Sequence, residues 1–228
     1  MLSSASEIAS LAEETARLRL PRFRLLYFDF AGRAEPTRLI FAAADKDYDD
    51  VRVAADDWPE IRPKMPLGQL PVLEVNGKKL CQIGAINRYL AKIFDLTGNN
   101  RLESAVCDLL AEPASKLLDA AFLELNELDP EKRKAVWLRF HESTVRPFLE
   151  QHERLLQASG RDFFVCDKLT WTDILIFTVI QSIRQKNPDF DLLDPYPNFA
   201  KFTQNVLKND GIRKYIEEET GAMESRSS

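Results

Sequence analysis

A hairpin signal near residue 76 constrains the fold of this chain more than any other feature of its sequence. The segments QLPVLEV (69–75) and KKLCQ (78–82) have the residues typical of strands, and they flank Asn76-Gly77. An Asn-Gly pair in this setting favours a type I′ turn, because both of its positions require positive φ. The sequence therefore predicts two antiparallel strands joined by a two-residue turn.

The segments around this hairpin predict a β-α-β-β-β-α unit. Two further strands and two helices are indicated by aromatic or alternating patterns and by helical apolar spacing. In chain order these segments are FRLLYFDF (23–30), GRAEPTRLIFAAAD (32–45), YDDVRVA (48–54) and GAINRYLAKIF (84–94). The residues expected to face inward on the second helix are Ile86, Tyr89, Leu90 and Ile93. Residues 54–68, rich in Asp, Trp and Pro, are predicted to form a loop.

From about Arg101 the pattern predicts helices only. The helical segments are 102–125, 130–159, 172–185 and 199–219. Thr170 and Asp173 have the spacing of a capping box, and they precede a nearly all-apolar helix that should be buried. Turn-forming residues cluster at 95–100. We therefore predict an α+β protein with an N-terminal extension (1–21), a mixed domain (22–98) and an all-helical domain (99–228).

Composition excludes several classes of partner and site. The chain has 228 residues, a net charge of −5 and a pI of about 5.3, which disfavours nucleic acid. No apolar run approaches the roughly 18 residues of a membrane span. Three cysteines without a CxxC pair indicate reduced thiols and a cytoplasmic protein. His141 and His152 are expected on helix surfaces, and no metal site is predicted. The extension has helical apolar spacing at Ile8, Leu11 and Leu18, and is expected to be helical or disordered.

The chain resembles the sigma class of the cytosolic glutathione transferases, which includes the haematopoietic prostaglandin D synthases. Three segments carry the resemblance, and it extends over roughly residues 22–220. They are LLYFDFAGRAEPTRLIFAAADKDYDDVRV (25–53), DWPEIRPKMPLGQLPVLEVNGKKL (57–80) and NRYLAKIFDLTGN (87–99). The resemblance implies a thioredoxin-like first domain, a helical second domain, glutathione as co-substrate and a homodimer.

At the sulfur end of glutathione, the resemblance assigns Tyr27 and Arg33. Tyr27 would donate its hydroxyl hydrogen to the sulfur, and Arg33 would lie near it. A free thiol with a pKa near 8.5 is only a few per cent ionised at pH 7. Lowering that pKa by two units requires about 2.7 kcal/mol of differential stabilisation, which one donor, one cation and a helix N-terminus could supply together.

For the rest of the tripeptide, the resemblance assigns a binding set in the first domain. Trp58 and Arg62 would bind the glycine carboxylate, with Gln69 close to them. Pro71 would follow a cis peptide bond, so that the backbone of Leu70 pairs with the cysteinyl part like a short strand. Gln82 would bind the γ-glutamyl end.

Ile83 departs from the family pattern. Relatives have serine here, and its hydroxyl and N–H both hold the γ-glutamyl carboxylate, whereas Ile83 retains only the backbone N–H. A lost charge-assisted hydrogen bond weakens binding by about 1.5–3 kcal/mol. A second departure concerns the acidic residue that reaches the γ-glutamyl amine across the dimer. The best register places Ser115-Lys116 there, with Glu112 and Asp119 one turn away on either side.

The sequence thus predicts a glutathione transferase that conjugates the glutathione thiolate to small electrophiles, with weakened glutathione affinity. A small electrophilic or apolar ligand would bind on the helical domain, near the loop after Tyr27 and the first long helix. Two alternatives stay open. One is a glutathione-dependent isomerase of the prostaglandin D synthase kind, and the other is a non-enzymatic ligand-binding or structural protein.

Overall fold

The computed structural model describes residues 21–125 and 129–227. The chain divides into two compact units. The first contains the described residues up to Phe30 together with Asp47–Gln82, and the second contains Ala31–Lys46 and the described residues from Ile83 onward. Each unit combines two separate stretches of the chain that pack together, whereas the predicted domains are continuous segments that meet at 98/99. That predicted boundary stays a prediction. The predicted extension lies outside the described residues, except for Pro21.

The first unit is built on a four-stranded mixed sheet. Its strands are β1 (Phe23–Phe28), β2 (Asp49–Val53), β3 (Val72–Val75) and β4 (Lys78–Cys81). Their order in the sheet is β2-β1-β3-β4, with β1 parallel to β2 and antiparallel to β3, and β3 antiparallel to β4. Asn76 and Gly77 have φ values of 49° and 82°. The predicted hairpin is therefore confirmed, with the positive φ that its turn requires.

The segment between β2 and β3 is more ordered than the predicted loop. It forms the short helix α2 (Trp58–Ile61) and two 3-10 turns, Arg62–Lys64 and Pro66–Gly68. Trp58 and Ile61 pack against the buried cluster of Leu26, Met65 and Val72. Because the segment is anchored in this cluster, Trp58 and Arg62 are held close to the sheet.

The second unit consists of helices. The first is α1 (Glu35–Ala43), which follows a 3-10 turn at Gly32–Ala34. The others are α3 (Ile83–Ile93), α4 (Arg101–Glu124), α5 (Pro130–Phe140), α6 (Arg146–Ser159), α7 (Trp171–Lys186), α8 (Pro197–Val206) and α9 (Asp210–Ser227). The predicted order β-α-β-β-β-α followed by helices is confirmed. None of the helices in the described ranges is long and apolar enough to span a membrane.

Helix α7 is the buried centre of the second unit, as predicted. Every residue from Trp171 to Ile180 is buried, and α7 contacts α1, α3, α4 and α8. The predicted capping box is present at its start. Both the N–H and the hydroxyl of Thr170 donate to one oxygen of Asp173, at 2.8 and 2.6 Å, and the N–H of Phe164 donates to the other at 2.9 Å.

Three predictions about helices were wrong in detail. On α3, Ile86 and Leu90 are buried as expected, but Tyr89 and Ile93 are 37% and 43% exposed. The buried stripe instead includes Asn87, because the hydroxyl of Thr37 donates to its side-chain oxygen at 2.6 Å inside the core.

Residues 199–219 were predicted as one helix, but the chain breaks between α8 and α9. Asn209 causes the break, since its side chain donates to the carbonyl of Ala43 at 3.2 Å and accepts from the N–H of Ile212 at 3.0 Å. Gly211 then passes so close to the carbonyl of Ala42 that no side chain would fit. The segment 130–159 is likewise interrupted by a π-turn at His141–Val145.

Candidate functional site

One end of the sheet aligns predicted site residues from three neighbouring strands. The last pair between β1 and β3 is Leu26 with Val72, and Val72 also forms the last pair with β4. Tyr27, Pro71 and Gln82 each lie one residue beyond these pairs. They therefore form a row across β1, β3 and β4 at a single edge of the first unit.

Tyr27 lies within an aromatic cluster at this edge. Its side chain is only 3% exposed, and its ring centroid is 5.3 Å from that of Phe30. Phe28 stacks on Phe30 at 5.9 Å and meets the ring of Trp58 edge-on at 5.6 Å. Aromatic pairs at these separations stabilise one another. The cluster thus fixes Tyr27 and Trp58, two of the predicted site residues, relative to each other.

The Leu70–Pro71 peptide bond is cis, as the resemblance implied. Pro71 is buried and leads directly into β3, whereas Leu70 is half-buried. Leu70 lies one residue before the row of Tyr27, Pro71 and Gln82, so its backbone borders the same edge.

The two predicted glutamines contact each other. The side-chain amide of Gln82 donates to the side-chain oxygen of Gln69 at 3.0 Å, and both residues are exposed. Gln82 has φ 72°, a left-handed conformation that is uncommon for a residue with a side chain. This turn places Gln82 beside Gln69 at the point where the chain enters α3.

Arg62 lies over a glycine in the segment before β3. A Cβ on Gly68, which has φ 58°, would be 3.5 Å from Nε of Arg62. In the described part of the chain the exposed guanidinium of Arg62 has no carboxylate partner. Its charge is therefore available to a ligand carboxylate beside Trp58.

The second unit holds Arg33 and Ile83. Nε of Arg33, in the turn before α1, donates to Asp119 of α4 at 2.6 Å, and its guanidinium lies 5.5 Å from the ring centroid of Phe122. Ile83 is half-buried and begins α3. It supplies a backbone N–H at a helix N-terminus, a favourable position for an anion.

Comparison with known proteins matches both parts of the chain. Residues 24–92 match the N-terminal domain of glutathione S-transferases, and residues 119–219 match the C-terminal domain. Glutathione S-transferase 1 of Ascaris suum is 33% identical over 202 residues, which cover 87% of this chain and 97% of that protein. The chain belongs to the glutathione S-transferase family. The predicted fold and enzyme class are thereby confirmed.

Solved glutathione S-transferase structures share this fold. The prostaglandin synthase D of Nilaparvata lugens has a TM-score of 0.76 and 29% identity, over 86% of this chain and 98% of that one. The sigma-class enzyme of Fasciola hepatica has a TM-score of 0.78 and 25% identity, over 87% and 96%. Assignment of this glutathione S-transferase to the sigma class stays a prediction.

Sequence reasoning missed the contacts of Arg33. Asp119 is 86 residues away along the chain, and no local pattern links an acid on α4 to an arginine before α1. The nearby Glu112 is also engaged, 3.6 Å from Arg88 of α3. Both acids near the expected dimer contact therefore pair with arginines of their own chain, and Lys116 lies exposed between them.

A cavity of about 100 Å³ lies within the second unit of this glutathione S-transferase. Its walls come from α1, α7, α9 and Ala31, whereas α4, the helix expected to border the electrophile, contributes none. Glu35 lines the cavity, and it accepts hydrogen bonds from Arg38 at 3.1 Å and from the hydroxyl of Tyr215 at 3.3 Å. Burial raises the pKa of the Glu35 carboxyl, and Arg38 opposes this shift. This cavity contains none of the predicted glutathione-binding residues.

Proposed function

We propose that this glutathione S-transferase conjugates glutathione to small electrophiles by a sigma-class mechanism. In that mechanism Tyr27 donates a hydrogen bond to the sulfur, and the thiolate attacks the electrophile directly. The observation that carries the proposal is the row of Tyr27, Pro71 and Gln82 at one sheet edge. Tyr27, assigned to the sulfur, lies in β1. Pro71, whose cis bond turns the Leu70 backbone toward the cysteinyl part, and Gln82, assigned to the γ-glutamyl end, lie one residue outside the neighbouring strands β3 and β4.

We propose that the rest of the tripeptide is held from the same unit. The backbone of Leu70 pairs with the cysteinyl part, while Trp58 and Arg62 bind the glycine carboxylate. The absence of a carboxylate partner for Arg62 in the described residues supports this role. Gln69 and Gln82 exchange their mutual hydrogen bond of 3.0 Å for bonds to the ligand.

Arg33 is the proposed cation that assists thiolate formation. Its ion pair with Asp119 orients the guanidinium and also offsets part of its charge. Because Arg33 and Asp119 are 38% and 55% exposed, solvent screens the pair, and its net contribution is small. Tyr27 therefore carries the larger share of thiolate stabilisation in this mechanism.

With isoleucine at position 83, we expect glutathione binding to be weakened but not abolished. Its N–H at the start of α3 remains a donor for the γ-glutamyl carboxylate, but the missing hydroxyl lowers affinity by one to two orders of magnitude, from a loss of about 1.5–3 kcal/mol.

Two alternatives have an observation in their favour. The structural likeness to a prostaglandin synthase D favours a glutathione-dependent isomerase, which would use the same thiolate. The isoleucine at position 83 favours a non-enzymatic use of the fold. Measurable conjugation with a model electrophile would exclude the second alternative, whereas turnover of a prostaglandin endoperoxide would support the first.

Family resemblance supports a homodimer in the cytoplasm, with a role in detoxification. Light scattering coupled to gel filtration measures the mass directly. A mass near that of a single 26.1 kDa chain would contradict the dimer.

The proposed mechanism is tested by Tyr27→Phe. Conjugation of glutathione to 1-chloro-2,4-dinitrobenzene at neutral pH should fall at least tenfold, because the thiol loses its principal hydrogen-bond donor. Glutathione affinity, measured by calorimetry, should change far less, since the tripeptide contacts remain. Tyr89→Phe is the matched control, because it removes a hydroxyl from a tyrosine that is 37% exposed on α3. An unchanged rate in Tyr27→Phe would remove Tyr27 from the mechanism.

A further inference from the structure

The cavity between α1, α7 and α9 is small. It is lined by residues of these three helices and by Ala31, and its volume is about 100 Å³. A cavity of about 150 Å³ accommodates benzene, whereas a single water needs about 10–15 Å³. This α9 cavity therefore has room for a ligand of about four or five non-hydrogen atoms.

Four hydroxyl groups line the α9 cavity, and the hydrogen of each is already used in a hydrogen bond. They belong to Thr178, Ser182, Thr220 and Tyr215. The first three donate to the backbone carbonyl four residues earlier, at 2.7, 2.9 and 2.8 Å in that order. Tyr215 donates to the carboxylate of Glu35 at 3.3 Å. A hydroxyl whose hydrogen is engaged can only accept further bonds, so these groups offer lone pairs to a ligand.

Two carboxylates add negative charge to this surplus of acceptors. Glu35 and Glu219 both line the cavity, whereas its described lining includes no lysine, arginine or histidine. Burial raises the pKa of the Glu35 carboxyl, Arg38 opposes the shift, and the charge of Glu219 adds to it. Arg38 balances one of the two carboxylates, and Glu219 interacts with another group of the chain. The cavity thus provides a negative potential rather than a vacant ion pair.

The rest of the lining is largely apolar. Leu39 and Phe177, which are 2% and 0% exposed, contribute from α1 and α7, and Ile216 contributes from α9. A bare inorganic cation would leave these side chains facing its hydration water, whereas a short hydrocarbon chain would cover them. The lining therefore suits a ligand with one apolar end and one cationic, donor-rich end.

We propose that the α9 cavity binds a short primary alkylammonium ion of about four carbon atoms. The ammonium group has three donors and no acceptor, so it matches the hydroxyl oxygens and the carboxylate of Glu219. The alkyl chain packs against Leu39, Phe177 and Ile216. A ligand of this size binds with a dissociation constant in the millimolar range. The side-chain amides of Gln181 and Gln185, which can accept or donate, complete the polar part of the site.

The probe is n-butylammonium chloride, titrated into the full-length protein and followed by saturation-transfer difference NMR, with ionic strength held constant by sodium chloride. Binding should saturate in the millimolar range and persist when the protein is saturated with S-hexylglutathione. n-Butanol has the same length without the charge, and tetramethylammonium has the charge without a donor. Each should bind at least tenfold more weakly, because each lacks half of what the acceptors recognise.

Variants of α9 test where the ion binds. Glu219→Gln removes one carboxylate of the lining and should weaken n-butylammonium binding at least threefold. The matched control is Glu218→Gln, which makes the same change at the preceding, exposed position and should stay within twofold of the unmodified chain.

Ala31→Lys tests the site from the opposite wall, because a lysine side chain is itself a tethered butylammonium. It should abolish binding of the free ion. It should also melt at a higher temperature than Ala31→Met, which fills the same space without charge.

Four results would overturn the proposal. They are equally tight binding of n-butanol or tetramethylammonium, equal affinity in Glu219→Gln and Glu218→Gln, complete displacement by an equal concentration of potassium chloride, or complete displacement by S-hexylglutathione. The third would indicate a site for inorganic cations, and the fourth would place the ion in the glutathione site. The titration needs no catalytic turnover. A failure here therefore leaves the proposed transferase mechanism untouched, and a failure of Tyr27→Phe leaves this site untouched.

Discussion

Ile83 lies where the backbone geometry favours an anion and the side chain does not. As the first residue of an eleven-residue helix, it presents its N–H at the positive end of α3. Its neighbour Gln82 turns the chain through φ 72°, and Gly84 leaves room for Arg88, whose Nη1 would lie 3.1 Å from a Cβ at that position. The corner thus retains its backbone donor and has a cation close by, but lacks a hydroxyl.

Ile83→Ser should tighten glutathione binding about ten- to a hundredfold, because it restores one charge-assisted hydrogen bond worth about 1.5–3 kcal/mol. Isothermal titration calorimetry with reduced glutathione measures the change. Ile83→Val is the matched control, since it shortens the side chain without adding a donor, and its affinity should stay near that of the unmodified chain. Weaker binding in Ile83→Ser would contradict the proposed role of this corner.

Asp119 tunes Arg33 in the proposed mechanism. In the unmodified chain, Nε of Arg33 donates to the Asp119 carboxylate at 2.6 Å. Asp119→Asn keeps an oxygen that can accept this hydrogen bond but removes the negative charge that opposes Arg33. The full charge of Arg33 should then favour the thiolate more, so the pH–rate profile of conjugation should move to lower pH. Since the pair is largely exposed, we expect a shift of only a few tenths of a pH unit. A shift to higher pH would show that Asp119 serves only to position Arg33.

At the scale of elements, the start of α7 depends on one buried carboxylate. Asp173 is fully buried and accepts three hydrogen bonds, two from Thr170 and one from the N–H of Phe164. Through them it joins the first turn of the central helix to the segment before it. Removing a buried acceptor leaves its donors unsatisfied, at a cost of about 1–3 kcal/mol for each group.

Asp173→Leu should therefore lower the free energy of unfolding by about 3–5 kcal/mol, because it leaves buried donors without an acceptor. Urea denaturation followed by circular dichroism measures this loss. Thr170→Ser is the matched control, since it keeps the hydroxyl that donates at 2.6 Å and should cost about 1 kcal/mol or less. A loss below 1 kcal/mol in Asp173→Leu would show that the capping box is not needed for α7.

The sequence predicts those elements whose signals are local. Asn76-Gly77 specifies its hairpin through backbone conformation, and Thr170 with Asp173 specifies the start of α7 through neighbouring hydrogen bonds. The face of α3 was misjudged because burial of Asn87 depends on Thr37, 50 residues away.

The residues of the candidate site also differ in whether local or long-range contacts determine them. A family motif is a local signal, so residues such as Tyr27 and Pro71 can be assigned from sequence. The partnership of Arg33 with Asp119 could not be predicted, because it exists only after α4 packs beside the turn before α1. Likewise, the contact between Gln69 and Gln82 follows from strand register rather than from either residue's surroundings in the sequence.

At the scale of the whole molecule, two buried groups give opposite pH dependence to its stability. His152, predicted on a surface, is 1% exposed and stacks on Phe148 at 3.8 Å. Burial lowers the pKa of His152 to about 4, although its hydrogen bond to the Phe148 carbonyl acts in the opposite direction. Burial also raises the pKa of Asp173 to about 6, although hydrogen bonds from Thr170 and Phe164 oppose the shift.

These shifts act over overlapping pH windows. Between pH 6.5 and about 4 the unfolded chain protonates His152 while the folded chain does not, so acidification destabilises the fold. Between about pH 6 and 3.8 the folded chain protonates Asp173 before the unfolded chain does, so acidification stabilises it. From pH 7.5 to 5 the first effect removes about 2 kcal/mol and the second adds about 1 kcal/mol, so the two partly cancel.

His152→Met should expose the contribution of Asp173 by removing the opposing group. Methionine fits between aromatic rings and needs no hydrogen bond, whereas Nε2 of His152 has no partner among the described residues. On acidification from pH 7.5 to 5, the free energy of unfolding of the variant should rise by about 2 kcal/mol relative to that of the unmodified chain. Urea denaturation at both pH values measures this difference. His141→Met controls for the loss of a histidine that is less deeply buried than His152. If His152→Met follows the pH dependence of the unmodified chain, then His152 is not held neutral by burial.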